Sequence, residues 1–65
     1  MNMNPKQAYD DLMTEIFKYD NNPTYELSAI TLDNRYGVST VLDMEKEGYI
    51  KRVGKHNGHT IYKIR

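Results

Sequence analysis

The sequence predicts an α+β domain in which three helices are followed by a C-terminal β-hairpin. Apolar residues recur every three to four positions over much of the first 47 residues, which is the period of helices with one buried face. Further on, Asn57-Gly58 separates two short runs rich in β-branched and aromatic residues, a strong local signal for a hairpin. Because a chain of 65 residues can bury only one small core, we expect residues 1–65 to form a single domain.

The first helix is expected over about residues 5–20. Asn4 can cap it with its side-chain oxygen, and Pro5 suits the first helical position, where its missing N–H is no loss. The helix should end in the segment 20–23, because Asn adopts the left-handed conformation readily and a proline keeps the preceding residue extended. Its buried face is marked by Ala8, Leu12 and Ile16.

Two further helices are expected before the hairpin. A short second helix over about residues 25–30 would be capped by Thr24, with Leu27 and Ile30 facing inward. A third helix over about residues 34–47 would be capped by Asp33 and end at Gly48. Gly37 lies inside this third helix, where it costs about 1 kcal/mol relative to alanine, so we expect the second helix to cross closely there.

The hairpin is expected over about residues 49–64, and two registers are open. A two-residue loop places Lys63 opposite Arg52, whereas a three-residue loop with a glycine bulge places Lys63 opposite Lys51. In both registers two cations face each other, which costs roughly a few tenths of a kcal/mol. This pattern favours an anionic partner lying between them.

Charge is strongly segregated along the chain, although the formal net charge is zero. Residues 1–47 contain four basic and nine acidic residues, whereas residues 48–65 contain five basic residues and no acid. Such a basic segment indicates an anionic ligand.

The chain has no cysteine, no signal peptide and no apolar run long enough for a membrane span, so we expect a cytoplasmic protein with no membrane partner. Because so small a core lacks disulfides, we also expect a homodimer.

The order of elements, together with the junction 44–50, resembles the winged helix-turn-helix superfamily. In that superfamily a Leu-x-x-x-Gly-x-Ile pattern commonly joins the recognition helix to the hairpin, or wing, and here Met44 replaces the leucine before Gly48 and Ile50. More narrowly, the chain resembles the small phage-associated YjcQ-like winged-helix proteins. The resemblance rests on Tyr9 to Phe17, Ile30-Thr31-Leu32-Asp33, Glu47-Gly48-Tyr49-Ile50 and Tyr62-Lys63-Ile64. It implies a fold, and that family has no established activity to carry over.

A second boundary for the third helix has to be weighed. The string Arg35-Tyr36-Gly37-Val38-Ser39 resembles the turn that precedes the recognition helix in GntR-type regulators, which would make Ser39 the cap. Only residues 40–47 would then remain for the helix. We favour the boundary at Asp33, because recognition helices in this superfamily usually have three or more turns.

Nothing in the sequence assembles a catalytic site, so we predict no enzyme activity and no cofactor. Carboxylates, hydroxyls and the two histidines fall on separate elements. His56 and His59 lie near the hairpin tip, but no cysteine or acid in that segment completes a metal site. We therefore interpret both as polar wing residues.

The resemblance leads us to expect a small DNA-binding protein, a transcriptional regulator of phage or mobile-element type, that contacts double-stranded DNA with the third helix and the wing. The expected DNA-binding residues are Asn34, Arg35, Ser39, Lys51, Arg52, Lys55, His56, Asn57 and Lys63. The alternative is a winged-helix protein-interaction module, such as a phage-encoded modulator of a host protein. In that case Val38 and Leu42, which are exposed aliphatic residues on the third helix, would contact a protein partner instead of thymine methyl groups.

Overall fold

The computed structural model describes residues 3–17 and 25–65, and it has the expected α+β architecture. In chain order the elements are helix α1 (Pro5–Asp11), a π-helix (Leu12–Phe17), strand β1 (Glu26–Ser28), helix α2 (Ala29–Tyr36), helix α3 (Val38–Glu47), strand β2 (Ile50–His56) and strand β3 (His59–Ile64). The strands form one antiparallel sheet in the order β1-β3-β2. The predicted winged-helix class is confirmed, with a third strand that the sequence reading did not include.

Helix α1 begins where the sequence predicts. The Asn4 side chain accepts a hydrogen bond from the Gln7 N–H at 2.8 Å, and the Gln7 side chain accepts one from the Asn4 N–H at 3.2 Å, which completes a capping box. The chain then continues as a π-helix, in which Leu12 and Phe17 are both buried. The predicted stretch 18–20 of this helix, its predicted end at 20–23 and the Thr24 cap lie outside the described residues.

The predicted second helix over residues 25–30 is wrong. Glu26–Ser28 pairs with β3, and α2 begins only at Ala29. The reason is a cap that the sequence reading overlooked, because the Ser28 side chain accepts a hydrogen bond from the Ile30 N–H at 3.1 Å. Ile30 was expected to face inward, yet 46% of it is exposed in the first turn of α2.

The predicted third helix over residues 34–47 is also wrong at its start. Asp33 lies inside α2 and caps nothing, and α3 begins at Val38. Gly37 separates the two helices with φ 92° and ψ 148°, a conformation that is almost restricted to glycine, and its N–H donates to the Asp33 carbonyl at 2.8 Å. A Cβ at Gly37 would meet no atom within 4 Å, so the expected close approach of a second helix is not the reason for this glycine. The backbone conformation is the reason.

The start of α3 at Val38 therefore lies close to the alternative helix start at Ser39, although Ser39 is the second residue of α3 and not its cap. The predicted end of the helix is confirmed, since Gly48 adopts the left-handed conformation with φ 86°.

The hairpin combines both registers that the sequence left open. Its loop has two residues, Asn57 and Gly58, both at positive φ (52° and 80°). Between Arg52 and Gly54 the register shifts by one residue, so Val53 forms a β-bulge. Below the bulge Lys63 pairs with Lys51, as the three-residue loop would have required.

One core joins the helices to the inner face of the sheet. Thr40, a buried polar residue, donates a hydrogen bond to the Met3 carbonyl at 3.2 Å. The core consists of Ala8, Leu12, Phe17, Leu32, Tyr36, Val41, Met44, Ile50, Tyr62 and Ile64. With these side chains buried, α3 presents its opposite face, which includes Val38 and Leu42, to solvent.

Candidate nucleic-acid interface

We call β2, β3 and the turn between them the wing, and its lysines form the main cationic surface. Lys51, Lys55 and Lys63 are exposed, and in the part of the chain that the structure describes none of them makes an ion pair. His56 and Asn57 are exposed at the tip. The lysine ammonium groups are therefore open to an anion.

Strand pairing fixes which face of the wing each lysine occupies, since directly paired residues share a face of a sheet. Lys51 and Lys63 lie in one row of the outer face, and Glu26 of β1 pairs with Lys63 in the same row. Lys55 pairs with Thr60 and lies on the opposite face, beyond the core. The lysines thus lie on both faces of the wing, with Lys51 and Lys63 on the outer face and Lys55 on the opposite face near the tip.

Arg52 differs from the lysines because it is bound within the protein. Its Nη2 donates to Glu45 Oε1 at 3.3 Å and to the Tyr62 hydroxyl at 3.2 Å, and Tyr62 in turn donates to Glu45 at 3.3 Å. The Glu45 carboxylate and the Tyr62 hydroxyl raise the pKa of Arg52. Arg52 therefore ties the wing to α3, and it would have to exchange Glu45 for a phosphate in order to contact DNA.

Arg35 is engaged in a similar way at the end of α2. Its Nε donates to the Asp11 carboxylate at 2.9 Å, and the Tyr36 hydroxyl donates to the same oxygen at 2.7 Å. These bonds lower the pKa of Asp11, while burial, followed by the bond to Asp11, raises the pKa of Tyr36. The structure places Arg35 in a contact between α1 and α2 instead of the first turn of the recognition helix, where the sequence reading put it. Neighbouring Asn34 is exposed.

The solvent face of α3 is largely apolar at its start and acidic towards its end. Val38 is 59% exposed and Leu42 50% exposed, with Ser39 exposed between them. The N-terminal turn has no side-chain cap, because Gly37 occupies that position. Asp43 and Glu47 are exposed towards the C-terminal end, where they would repel phosphates.

The structure brings the predicted site residues into two groups that differ in how available they are. Ser39 on α3 and the wing lysines are exposed, whereas Arg35 and Arg52 are held by carboxylates. The sequence reading missed those carboxylates, Asp11 and Glu45. The partner of Asp11 lies 24 residues away along the chain, so the tertiary fold alone brings the two side chains together.

Comparisons with known proteins add nothing to this assignment, since no family model, curated protein or solved structure matches the chain. The class of protein therefore rests on element order, sheet topology and the geometry above. Among the described residues, no helix is both long enough and apolar enough to cross a membrane.

Proposed function

We propose that the protein binds double-stranded DNA, with the wing on the phosphate backbone and the N-terminal half of α3 directed at the major groove. The observation that carries this proposal is the direct pairing of Lys51 with Lys63 on an exposed face. Two facing ammonium groups repel each other in the free protein, and a phosphate between them would turn that repulsion into attraction. Lys55 adds a cation on the opposite face of the wing near the tip, where His56 and Asn57 are also exposed.

The proposed contacts are of two types, those to phosphates and those to bases. The lysines would bind phosphates, which position the protein without reading sequence. Asn34 and Ser39 are exposed polar residues near the turn between α2 and α3, and Val38 and Leu42 could contact thymine methyl groups. Because Arg35 and Arg52 are already paired with carboxylates, we expect one protomer to bind weakly and with strong salt dependence.

A homodimer on a two-fold site would supply the sequence specificity that one protomer lacks, and the protein would then act as a small transcriptional regulator in the cytoplasm. We expect sedimentation equilibrium of the protein to show a concentration-dependent dimer. A strict monomer at every concentration would rule out binding to a palindromic operator.

Binding to DNA is tested by fluorescence anisotropy with a labelled duplex of mixed sequence. Affinity should fall steeply as salt is added, because each phosphate contact contributes about 0.9 to the slope of log K against log salt. In the double variant Lys55→Glu, Lys63→Glu, we expect affinity at low salt to fall more than about tenfold and the slope to decrease by about 2.

The matched control is Lys6→Glu, Lys46→Glu, which changes the net charge equally at exposed positions away from the wing. We expect it to weaken binding less than about threefold, since long-range charge effects are screened at moderate salt. Equal losses in the two double variants would contradict a wing-centred interface. Failure of the folded wild-type protein to bind at low salt would contradict DNA binding altogether.

One observation favours a second candidate, a module that contacts another protein. Val38 and Leu42 are four residues apart on one face of α3 and are both at least half exposed, close to the acids at the end of the same helix. Such a face suits a partner with an apolar pocket and a basic rim. This candidate predicts no duplex binding at low salt, so the same titration separates the two functions.

A further inference from the structure

The wing tip holds the only two histidines of the chain, and the register places them directly opposite each other. His56 pairs with His59 across the two-residue turn, and both side chains are exposed. Asn57 and Gly58 both adopt positive φ, which is the requirement of a tight type I′ turn. The separation of the two backbones is therefore set by the shortest common hairpin loop.

Directly paired residues of an antiparallel ladder project their side chains on the same face, with Cβ atoms about 4.5–5.5 Å apart. Two imidazoles at that spacing can turn one nitrogen each towards a common point, at the distance of about 2.0–2.1 Å that a transition metal requires. From this geometry we propose that His56 and His59 chelate a divalent transition-metal ion at the wing tip. The proposal does not depend on DNA binding.

The surroundings define the class of ion. Two imidazole nitrogens favour borderline ions over Mg²⁺ or Ca²⁺, with Cu²⁺ expected to bind more tightly than Ni²⁺ or Zn²⁺. In residues 3–17 and 25–65 there is no group of three or more His, Cys, Asp or Glu side chains that could hold a metal. The site is therefore a two-ligand chelate, and water or an anion fills the remaining positions, which keeps it open to exchange.

Lys55 does not compete for this position. It pairs with Thr60, and successive residues of a strand alternate between faces, so its side chain projects on the face opposite the two histidines.

The test is a titration of the full chain with Cu²⁺ in a non-coordinating buffer, followed by paramagnetic broadening of backbone amide signals. We expect signals of residues 55–60 to broaden first, and we expect His56→Ala and His59→Ala each to weaken binding at least about tenfold, because one remaining imidazole gives no chelate. Broadening that starts near the amino terminus, or that is unchanged in the two variants, would overturn the proposal.

A matched variant, Lys55→His with His56→Lys, keeps the composition and both histidines but moves one imidazole to the other face of the ladder. We expect it to bind Cu²⁺ as weakly as His56→Ala, and its amide spectrum shows whether the fold is retained. If this folded variant bound Cu²⁺ with wild-type affinity, the two imidazoles would not need to lie on the same face of the ladder, and the proposal would be overturned.

Discussion

Replacing Leu32 with alanine is expected to remove a large share of the free energy of unfolding of the domain. Leu32 lies in the middle of α2 and is 0% exposed. Removing a fully buried leucine side chain costs about 2–5 kcal/mol, through lost burial and the cavity left behind. A domain of this size has a total free energy of unfolding of only about 3–10 kcal/mol, so this one change removes a large share of it. Urea denaturation followed by far-UV circular dichroism measures the loss.

The matched control is Leu42→Ala on the neighbouring helix. Leu42 is 50% exposed, so we expect the free energy of unfolding to change by less than about 1 kcal/mol. A similar loss in both variants would mean that Leu42 is covered in solution, for instance by a second copy, and would contradict the exposed face described for α3.

Replacing Asp11 with asparagine is expected to lower stability by about 1–2 kcal/mol at neutral pH. The Asp11 carboxylate accepts hydrogen bonds from Arg35 and from the Tyr36 hydroxyl, and it thereby connects α1 to the end of α2. Hydrogen bonds to a charged group contribute about 1.5–3 kcal/mol, and we take a lower figure because 26% of the Asp11 side chain is exposed. Thermal unfolding at several pH values measures the difference between the two proteins.

The effect of this substitution should depend on pH in one direction only. Arg35 and Tyr36 hold the pKa of Asp11 below its ordinary value, so its contribution is complete above the pKa of the unfolded state. As the pH falls from about 5 through the lower pKa of the folded state, the wild-type protein loses this contribution, and the two stability curves converge. A difference that stays constant into acid would contradict the role of the charge.

Asp10→Asn is the control for this experiment, because it removes the same charge from the adjacent residue. Asp10 is 62% exposed at its side chain, and within residues 3–17 and 25–65 its one ion pair is with Lys6, at 3.5 Å and one helical turn away. Exposed pairs of this kind contribute about 0.5 kcal/mol or less. We therefore expect Asp10→Asn to unfold close to the wild-type temperature.

The features that sequence reasoning predicted correctly depend on local signals. The start of α1 follows from Asn4 and Pro5, the end of α3 from Gly48, and the wing from Asn57-Gly58. In each case a short motif satisfies its own backbone requirements, so neighbouring elements have little influence on the outcome.

The errors lie where tertiary contacts decide between competing local signals. Asp33 and Ser28 are both residue types that cap helices well, and the sequence alone does not decide which of them begins a helix. In the structure Glu26–Ser28 forms strand β1 because it pairs with β3, whose nearest residue is more than 30 positions away, and the helix therefore begins after Ser28. The sequence pattern predicts Gly37 inside a helix, because a positive φ such as the 92° of this residue has no signature in the sequence. For the candidate site, the exposure of the wing lysines could be expected from their pattern, whereas the pairing of Arg35 with Asp11 required knowledge of how α1 packs on α2.

The bulge at Val53 has a consequence for how the length of the wing can vary. Because Val53 is the one residue of β2 without a partner between Arg52 and Gly54, its deletion would join two segments whose pairing with β3 is already in step. Every other side chain of the hairpin would keep its face and its neighbour. Deleting a paired residue of β2 would instead move one part of the strand onto the opposite face. The wing can therefore lose residue 53, by natural or engineered deletion of one codon, without changing which side chains lie on each of its faces.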